Sequence, residues 1–431
     1  MRIAYVGTAW PMRGGIAQYN ALLCRELARQ HDVRLYSFTR QYPGLLFPGK
    51  TQMEAGTDAA PFPARPIVDS VNPLSWRRAA RVIAADRPNA LLFKYWMPFF
   101  APSFGTIARR VRRETARQAG EAGRARVVLI CDNVVPHEKR PLDEALTRWM
   151  LGAADAFVVM SSEVERDLLR FRPGALYAKV PHPLYEQFGE PMPREEARAA
   201  LDWDRDDRVL LFFGYIRRYK GLDVLLRAMP ELRRRLGPRL RLVVLGEFYE
   251  DRRPYDRLIE ELSLGDLVTM TGDYVPNEQV GPAFSASDLV VLPYRSATQS
   301  GIVQVAYQLE RPVVCTRVGG LEEMVTDGQT GILVPPDDPA ALADAVARYF
   351  EEDLEPSLVD GIRAVRANMG WDRLAAAIVQ LIEQSRGRVD AGQAGAADPD
   401  DEATSRTRTP GGQAVSTRRS ASGPTSEGSE P

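Results

Sequence analysis

Short apolar runs alternate with segments of helical periodicity along most of this chain of 431 residues. Residues 90–95, 126–131 and 209–213 are such runs, with apolar side chains at almost every position. Continuous apolar runs suit strands that are buried on both faces of a parallel sheet. The alternation of these strands with helices therefore predicts an α/β chain with doubly wound, Rossmann-like parallel sheets.

The alternating pattern is interrupted near the middle of the chain, where four prolines fall within residues 180–193. We expect a hinge there, because prolines with little periodicity disfavour regular elements. Two Rossmann-like domains joined by a hinge would face each other across a cleft. The predicted units are a first domain at 1–180, a hinge at 181–193, a second domain at 194–370, a helix at 371–385 that packs back, and a disordered tail at 386–431.

Composition excludes several classes of protein. The formal net charge of −1 excludes bulk electrostatic attraction to nucleic acid, so no nucleic-acid partner is expected. No apolar run reaches the ~20 residues that span a bilayer, and the start MRIAYVGT lacks the features of a leader peptide. Cys24, Cys131 and Cys315 are far apart and each lies near an apolar run, which predicts the reduced core thiols of a cytoplasmic protein.

One loop in the second half concentrates positive charge at the end of a predicted strand. Residues 209–213 form the strand, Gly214 ends it, and a helix is predicted just after Lys220. The loop between them carries Arg217, Arg218 and Lys220. Ligands of open α/β sheets lie beyond the carboxyl ends of the strands, where helix N-termini also point. The loop therefore suggests a site for a di-anion such as a diphosphate, and a basic surface loop is the alternative.

Closely spaced aspartates at 202–207, DWDRDD, raise the question of a metal site. They precede the strand at 209–213, which places them at the edge of the sheet away from the cleft. We interpret them as a turn and helix-end cluster. No metal and no cofactor are expected.

Several segments, taken in order, resemble the GT-B glycosyltransferases of family 4, also called glycosyl transferase group 1. They include Gly-Gly-Ile at 14–16, FFGYIRRYKGLDVLL at 212–226, LVVLGE at 242–247, TGDYVPNEQV at 271–280 and the long run SGIVQVAYQLERPVVCTRVGG from 300. The resemblance covers residues 1–385. It implies a retaining transferase that moves a sugar from a nucleoside-diphosphate sugar to an acceptor, in polysaccharide or glycoconjugate synthesis.

The resemblance also implies roles for individual residues. Arg217 and Lys220 would hold the diphosphate and act in catalysis. Asp132 and His137, in the loop after the strand at 126–131, are further catalytic candidates, and a loop histidine bonded to backbone is the alternative for His137. The implied donor-binding residues are Gly14, Gly15, Gly214, Arg218, Tyr274, Val275, Ser300, Gly301, Ile302, Gln304 and Glu323.

The chain departs from the family pattern at two positions of the donor pocket. Many members carry glutamates where this chain has Ala297 and Val305. A valine cannot accept hydrogen bonds from ribose hydroxyls, so we expect Gln304 or Gln299 to hold the ribose. These departures keep a second hypothesis open, a catalytically impaired GT-B protein that binds or acts as a scaffold.

A nicotinamide dehydrogenase, which also uses Rossmann domains, is disfavoured. Its G-x-G-x-x-G fingerprint should follow the first strand, and the glycine loop here is MRGGIAQ.

A helical segment at 104–126 carries seven arginines and an apolar strip of Phe104, Ile107 and Val111. It suggests peripheral contact with the inner face of an anionic membrane, where a lipid-linked acceptor could be met. The alternative is a solvated arginine-rich helix face.

Overall fold

Thirteen strands in the described part of the chain form two parallel sheets in this computed structural model. The structure describes residues 1–12, 14–43, 53, 60–135, 141–297 and 300–394, with side chains up to residue 387. The strands of the first sheet are β1 (Arg2–Val6), β2 (Asp32–Arg40), β3 (Ala64–Asp69), β4 (Ala90–Tyr95), β5 (Arg126–Cys131), β6 (Ala156–Val159) and β7 (Tyr177–Lys179). Those of the second are β8 (Arg208–Phe213), β9 (Leu240–Leu245), β10 (Val268–Met270), β11 (Leu289–Leu292), β12 (Val313–Thr316) and β13 (Gly331–Val334).

Helices connect these strands. In the first half they are α1 (Gly15–Ala28), α2 (Pro73–Ala85), α3 (Ala101–Ala119), α4 (Asp143–Leu151) and α5 (Ser162–Phe171). In the second half they are α6 (Arg194–Leu201), α7 (Leu222–Leu236), α8 (Arg253–Glu261), α9 (Asn277–Ala286), α10 (Gly301–Gln308), α11 (Gly319–Met324), α12 (Pro339–Glu351), α13 (Glu355–Arg366) and α14 (Trp371–Ala394).

The order of strands identifies where each sheet can bind a ligand. The first sheet runs β3-β2-β1-β4-β5-β6-β7 and the second β10-β9-β8-β11-β12-β13. In both sheets the direction of winding reverses beside the first strand, between β1 and β4 and between β8 and β11. A crevice opens at such a reversal, beyond the carboxyl ends of the strands. The predicted class, two Rossmann-like parallel sheets, is confirmed.

The central strands are buried on both faces, as their continuous apolar runs predicted. In β4, Leu91 and Phe93 pack in one hydrophobic cluster with α2 and α3, while Leu92 packs in another with α1. In β8, Leu210 and Leu211 likewise face opposite clusters. Alternation of side chains along a strand explains this division, so each sheet is the middle layer of three.

The chain returns to the first sheet at its last helix. Trp371, Leu374 and Ile378 of α14 share a hydrophobic cluster with Ile3 and Tyr5 of β1. The Trp371 indole N–H donates to the carbonyl of Leu184, 2.8 Å away, in the segment between the two sheets. The helix was predicted to end at 385 and extends to Ala394, so this part of the predicted tail is helical. The remainder of that tail lies outside the described residues, and the proposed domain limits stay a prediction.

One strand of the first sheet, β3, is not marked by a continuous apolar run in the sequence. β3 occupies Ala64–Asp69 and pairs in parallel with β2. Two features hid it: its residues are mostly half-exposed, and Pro66 lies within it. A proline cannot donate to a neighbouring strand, and it is tolerated here because β3 is an edge strand.

Candidate active site between the two sheets

A cavity of about 200 Å³ lies between the two sheets, at the carboxyl ends of β1, β8 and β9. α1 supplies one wall, and the loops after β8, β9 and β10 with the start of α10 supply the other. The lining residues are Gly14, Gly15, Gln18, Tyr185, Phe188, Phe213, Gly214, Tyr215, Lys220, Gly246, Glu247, Tyr274, Val275, Asn277, Val280, Gly301, Ile302 and Val305.

Lys220 is the one cation among the described residues that line this cavity. The residue is only 8% exposed. Burial, and then the positive charge of Arg217, lowers the pKa of its ammonium to about 8. No described residue accepts a hydrogen bond from this ammonium or forms an ion pair with it, and the centre of the Tyr294 ring lies 5.5 Å from its nitrogen. A buried charge without a partner is costly, so this position is prepared for an anion from outside the protein.

The backbone around Lys220 leaves room for that anion. Gly214, at the end of β8, has φ +97°, which disfavours any residue with a side chain. A Cβ at this position would lie 3.1 Å from the Lys220 Nζ and 3.4 Å from the Ile302 Cδ1. Gly14, at the start of α1, has φ +110° and lies on the opposite wall. Glycine at these two positions lets backbone from both sheets approach the same space.

The two arginine candidates of this loop, Arg217 and Arg218, differ in position. Arg217 is half-buried, with its guanidinium 5.0 Å from the centre of the Tyr249 ring. Tyr249 in turn packs on Tyr215, a lining residue, with ring centres 4.3 Å apart. Arg217 therefore lies at the rim, where its charge still reaches Lys220. Arg218 is exposed, and its backbone N–H donates to Glu250 at 2.8 Å.

The start of α10 faces the cavity. Gly301 and Ile302 line it, and Ser300 is the N-cap residue. The Ser300 hydroxyl accepts from the Ile302 N–H at 3.4 Å, so its oxygen stabilises the helix end. Ser300 therefore positions the two lining residues and is not itself among them.

Tyr274 and Val275 also lie on the cavity wall, where the family resemblance had placed them. They belong to the loop between β10 and α9. Val280, from α9, lies on the same wall. Together these residues give this end of the cavity an apolar lining with one phenol, which suits a flat heterocycle better than a phosphate.

Gln304 and Glu323 lie elsewhere, against expectation. Gln304 is fully buried and its amide lies 2.9 Å from the sulfur of Met324, inside the second domain. Both Glu323 carboxylate oxygens accept from the backbone N–H of Ser162, at 2.8 and 2.7 Å, and Lys179 lies 3.4 Å away. Glu323 thus joins α11 to the first turn of α5, where a carboxylate is favourable. Neither residue lines the cavity, so both donor-binding assignments are corrected.

Asp132 lies behind the cavity wall and is paired. Its carboxylate is 2.6 Å from the ammonium of Lys94, which is buried and sits 3.3 Å from the centre of the Tyr19 ring. Burial lowers the pKa of Lys94, and the attraction of Asp132 opposes this shift. Asp132 does not line the cavity, although its charge reaches Tyr185, which does. A direct catalytic role for Asp132 is therefore not supported by its position.

Two predicted candidates, His137 and Gln299, lie outside the described residues. Ala297 and Val305, which replace the family's glutamates, are both 4% exposed, and Val305 lines the cavity. Two of the aspartates at 202–207 form ion pairs on the far edge of the second sheet: Asp204 with Arg239 at 2.7 Å and Asp207 with Arg241 at 3.2 Å. Across the described residues, no three His, Cys, Asp or Glu side chains are grouped to hold a metal ion.

Glu247 is a lining residue that the sequence interpretation missed. It is 3% exposed and is the one carboxylate among the described lining residues. It follows Gly246 at the end of β9, and this place at a strand end was the available signal. Lys220 and Glu247 give one cavity a cation for an anionic group and a carboxylate that can accept from hydroxyls.

Polar side chains connect the two walls of the cavity at its mouth. The Gln18 amide of α1 donates to the Asn277 side chain of α9 at 2.6 Å. Gln187, in the segment between the sheets, donates to Gln18 at 3.0 Å. These hydrogen bonds link the first and second domains on either side of the cavity, which is thus closed along this side.

Two family descriptions match the chain. Residues 14–178 match "Glycosyl transferase 4-like domain" and residues 207–352 match "Glycosyl transferases group 1". The two matches end on either side of the segment that links the sheets.

Curated proteins similar to the chain carry the name D-inositol 3-phosphate glycosyltransferase. The one from Catenulispora acidiphila is 32% identical over 261 residues, covering 56% of this chain and 60% of that protein. The one from Streptomyces coelicolor is 31% identical over 262 residues, covering 59% and 55%. The chain thus matches 60% or less of the length of these two relatives.

Solved structures share the fold over nearly all of their length. Sucrose-phosphate synthase from Thermosynechococcus elongatus superposes with a TM-score of 0.67 at 21% identity, covering 91% of this chain and 99% of that one. Anabaena HepE in complex with UDP-glucose gives 0.64 at 14% identity, covering 91% and 100%. At 21% and 14% identity, the structural similarity shows a shared two-sheet fold and nothing more.

Proposed function

The chain belongs to the group 1 glycosyltransferases, and on this basis we propose that it transfers a sugar from a nucleoside-diphosphate sugar to an acceptor. The observation that carries the proposal is the Lys220 ammonium, buried in the inter-sheet cavity without an anionic partner among the described residues. A diphosphate placed there would supply the missing charge. The sugar would then lie toward Gly14 and Gly15, and the base toward Tyr274 and Val275.

The chemistry needs stabilisation of a leaving group. As the glycosidic bond breaks, negative charge grows on the β-phosphate, and fixed donors aimed at it lower the barrier. Lys220 would contact this phosphate, Arg217 would strengthen the positive field from the rim, and the first N–H groups of α10 would point at the same charge. Glu247 would accept from ribose or sugar hydroxyls, in place of the glutamate that Val305 replaces. We propose transfer with retention and without a metal.

The acceptor is a sugar, a glycan, a lipid-linked glycan or a small polyol phosphate, in polysaccharide or glycoconjugate synthesis. D-inositol 3-phosphate is included because the relatives bear that name. We place the enzyme in the cytoplasm, where the buried thiols of Cys24, Cys131 and Cys315 would stay reduced. Within the described residues, no helix has the length and apolarity to cross a membrane.

A thermal-unfolding screen with UDP, GDP, ADP and their sugar conjugates tests the proposal. A ligand at 100 times its Kd should stabilise the protein by about 2.7 kcal/mol. The stabilising conjugate is then incubated with enzyme alone and with candidate acceptors, and release of the nucleoside diphosphate is measured. Release in either incubation supports transfer.

The rival function is a donor-binding protein without catalysis, favoured by Ala297 and Val305. Stabilisation by a nucleotide-sugar with no release of diphosphate under any condition would favour this rival. Absence of stabilisation by every nucleotide and nucleotide-sugar in the screen would contradict both.

A further inference from the structure

Two neighbouring helices of the first domain carry positive charge that the protein does not neutralise. In the part of the chain that the structure describes, five exposed arginines of these two helices form no ion pair and no hydrogen bond: Arg77, Arg78, Arg81, Arg110 and Arg113. Other exposed arginines are either paired, as Arg233 is with Asp266 at 2.9 Å, or unpaired on separate helices, as Arg227 of α7 and Arg257 of α8 are. What distinguishes α2 and α3 is that five unpaired arginines lie on two neighbouring helices.

On α2 the arginines share one face with an exposed leucine. Leu74, Arg77, Arg78 and Arg81 follow the spacing i, i+3, i+4 and i+7, which places them on a single stripe. Leu74 is 70% exposed and Val71, just before the helix, is 40% exposed. α2 contains no acidic residue. This stripe thus combines apolar side chains at its start with cations along its length.

α3 extends the same basic surface. It packs directly against α2, and Arg110 and Arg113 lie on its exposed side. Glu114 is the one acidic residue of α3, and it is paired with Arg117 at 3.3 Å. α2 and α3 together carry eight arginines against this single glutamate. We call this surface the α2–α3 face.

This face differs from the arginine patch that the sequence suggested at 104–126. Arg109 stacks on Trp149 at 4.1 Å, and Arg112 and Arg124 both pair with Asp155, at 3.2 and 3.1 Å. The apolar strip of that segment, Phe104, Ile107 and Val111, is fully buried in the core. Much of the suggested patch is therefore internal structure, and the charge available to a partner lies further toward α2.

We propose that the α2–α3 face docks the enzyme on an anionic lipid bilayer, with Leu74 and Val71 entering the headgroup region. Charge complementarity favours a surface rich in acidic headgroups over a neutral one. Isolated leucine and valine side chains beside cations are typical of interfacial contacts, in which arginine stems also lie along the apolar layer. The whole chain is nearly neutral, so attraction depends on this face turning toward the membrane.

The position of this face relates it to the cavity. α2 follows β3 and α3 follows β4, so both helices begin at the carboxyl edge of the first sheet. The cavity lies at the same edge, after β1. Docking through Leu74 would bring this edge near the lipid surface, where a membrane-bound acceptor would present its sugar. The docking proposal itself does not depend on which sugar is transferred.

Co-sedimentation of the full chain with vesicles tests the proposal. Vesicles of phosphatidylcholine alone are compared with vesicles containing 30% phosphatidylglycerol (roughly the acidic content that gives a strong surface potential), at low salt and then in about 0.5 M salt, where charges are screened. The expected result is binding to the acidic vesicles that salt weakens. Each arginine at such a surface changes partitioning about fivefold, so the triple variant Arg77→Gln, Arg78→Gln, Arg81→Gln should bind about 100-fold more weakly.

A matched control removes the same charge elsewhere. The triple variant Arg227→Gln, Arg257→Gln, Arg373→Gln changes exposed arginines of α7, α8 and α14 and should bind as the wild type does. Leu74→Asp should weaken binding while leaving all arginines in place.

Three results would overturn the proposal: no binding to acidic vesicles at low salt, equal binding by the two triple variants, or equal binding to neutral and acidic vesicles. Retention of an RNA duplex with no vesicle binding would overturn it in favour of a nucleic-acid partner. Nucleotide stabilisation, measured in solution on the same variants, is expected to be unchanged, which separates a failure of docking from a failure of the proposed activity.

Discussion

Lys220 is the residue on which the chemistry of the cavity depends. Lys220→Ala should lower kcat by about 10²–10³, as loss of one donor to a developing anion does elsewhere. Initial rates with the donor found in the nucleotide screen check this. Arg257→Ala, which removes an exposed cation of α8 outside the cavity lining, is the control and should have nearly the wild-type rate. Equal rates for Lys220→Ala and the wild type would remove Lys220 from the mechanism.

The lowered pKa of Lys220, about 8, predicts the pH dependence of donor capture. The cationic form binds the diphosphate, and it is lost as the pH rises through this value. kcat/KM should therefore fall about tenfold per pH unit above pH 8. The bound diphosphate raises the ammonium pKa again, so kcat should fall only at higher pH.

Lys220→Arg is the check on this assignment, because a guanidinium stays charged over the whole range. Whatever its absolute rate, this variant should lack the decline above pH 8. A decline that persists unchanged in Lys220→Arg would assign the titration to another group.

Residues at strand ends could be placed from the sequence, and residues on helix faces could not. Gly214 follows β8 directly, and Gly14 and Lys220 lie in the loops after β1 and β8. These loops lie at the carboxyl edges of the parallel sheets, which is a fixed direction. Gln304 depends on which face of α10 turns inward, and Glu323 depends on how the two domains meet. Neither the rotation of a short helix nor an inter-domain contact is encoded in local spacing.

Among the elements, α6 depends on a single buried carboxylate. Asp288, just before β11, is 2.7 Å from Arg198 of α6, 3.0 Å from Arg194, and accepts from the Val209 N–H at 2.6 Å. Asp288→Ala leaves Arg198, which is 3% exposed, without its partner. This should lower the free energy of unfolding by about 3–5 kcal/mol, measured by urea denaturation.

An exposed pair of the same helix serves as the comparison for Asp288. Glu195 lies 2.9 Å from Arg205, and its side chain is 77% exposed. Glu195→Ala should change stability by less than about 1 kcal/mol. Similar losses of unfolding free energy in the two variants would show that burial does not make the Asp288 ion pairs more important to stability than the exposed pair.

Elements were predictable where burial on both faces imposed a continuous apolar run. β4 and β5 have the predicted bounds for this reason. β3 was missed because an edge strand needs less apolar surface and tolerates proline. The mostly polar sequences of α6 and α13 show only narrow buried faces, and no helix was predicted at either.

At the scale of the whole molecule, His182 makes the junction between the sheets sensitive to acid. It is 7% exposed, lies 2.7 Å from the carbonyl of Pro183, and packs against Tyr19 and Tyr185. Burial, and then the charge of Lys94, lowers its pKa to about 3. In the unfolded chain the imidazole would take up a proton near pH 6.5.

The difference between the folded and unfolded pKa of His182 determines how stability changes with pH. Between about pH 6.5 and 3 the unfolded state binds the proton more readily, so stability is complete above this window and is lost as the pH falls. The free energy of unfolding should therefore fall by up to about 1.4 kcal/mol per pH unit on account of His182. Urea denaturation of the wild type and of His182→Gln, from pH 7 to pH 4, gives the free energy of unfolding as a function of pH. The difference between the two slopes measures the contribution of His182. Parallel slopes would mean that His182 titrates alike in both states.

The return of α14 to the first sheet bears on how the protein is made. Ile3 and Tyr5 are synthesised long before Leu374 and Ile378, which cover them in the folded protein. This apolar face of the first sheet therefore stays exposed to solvent while about two hundred further residues are synthesised. Such a nascent chain is expected to bind chaperones. A chain truncated before residue 371 is expected to aggregate.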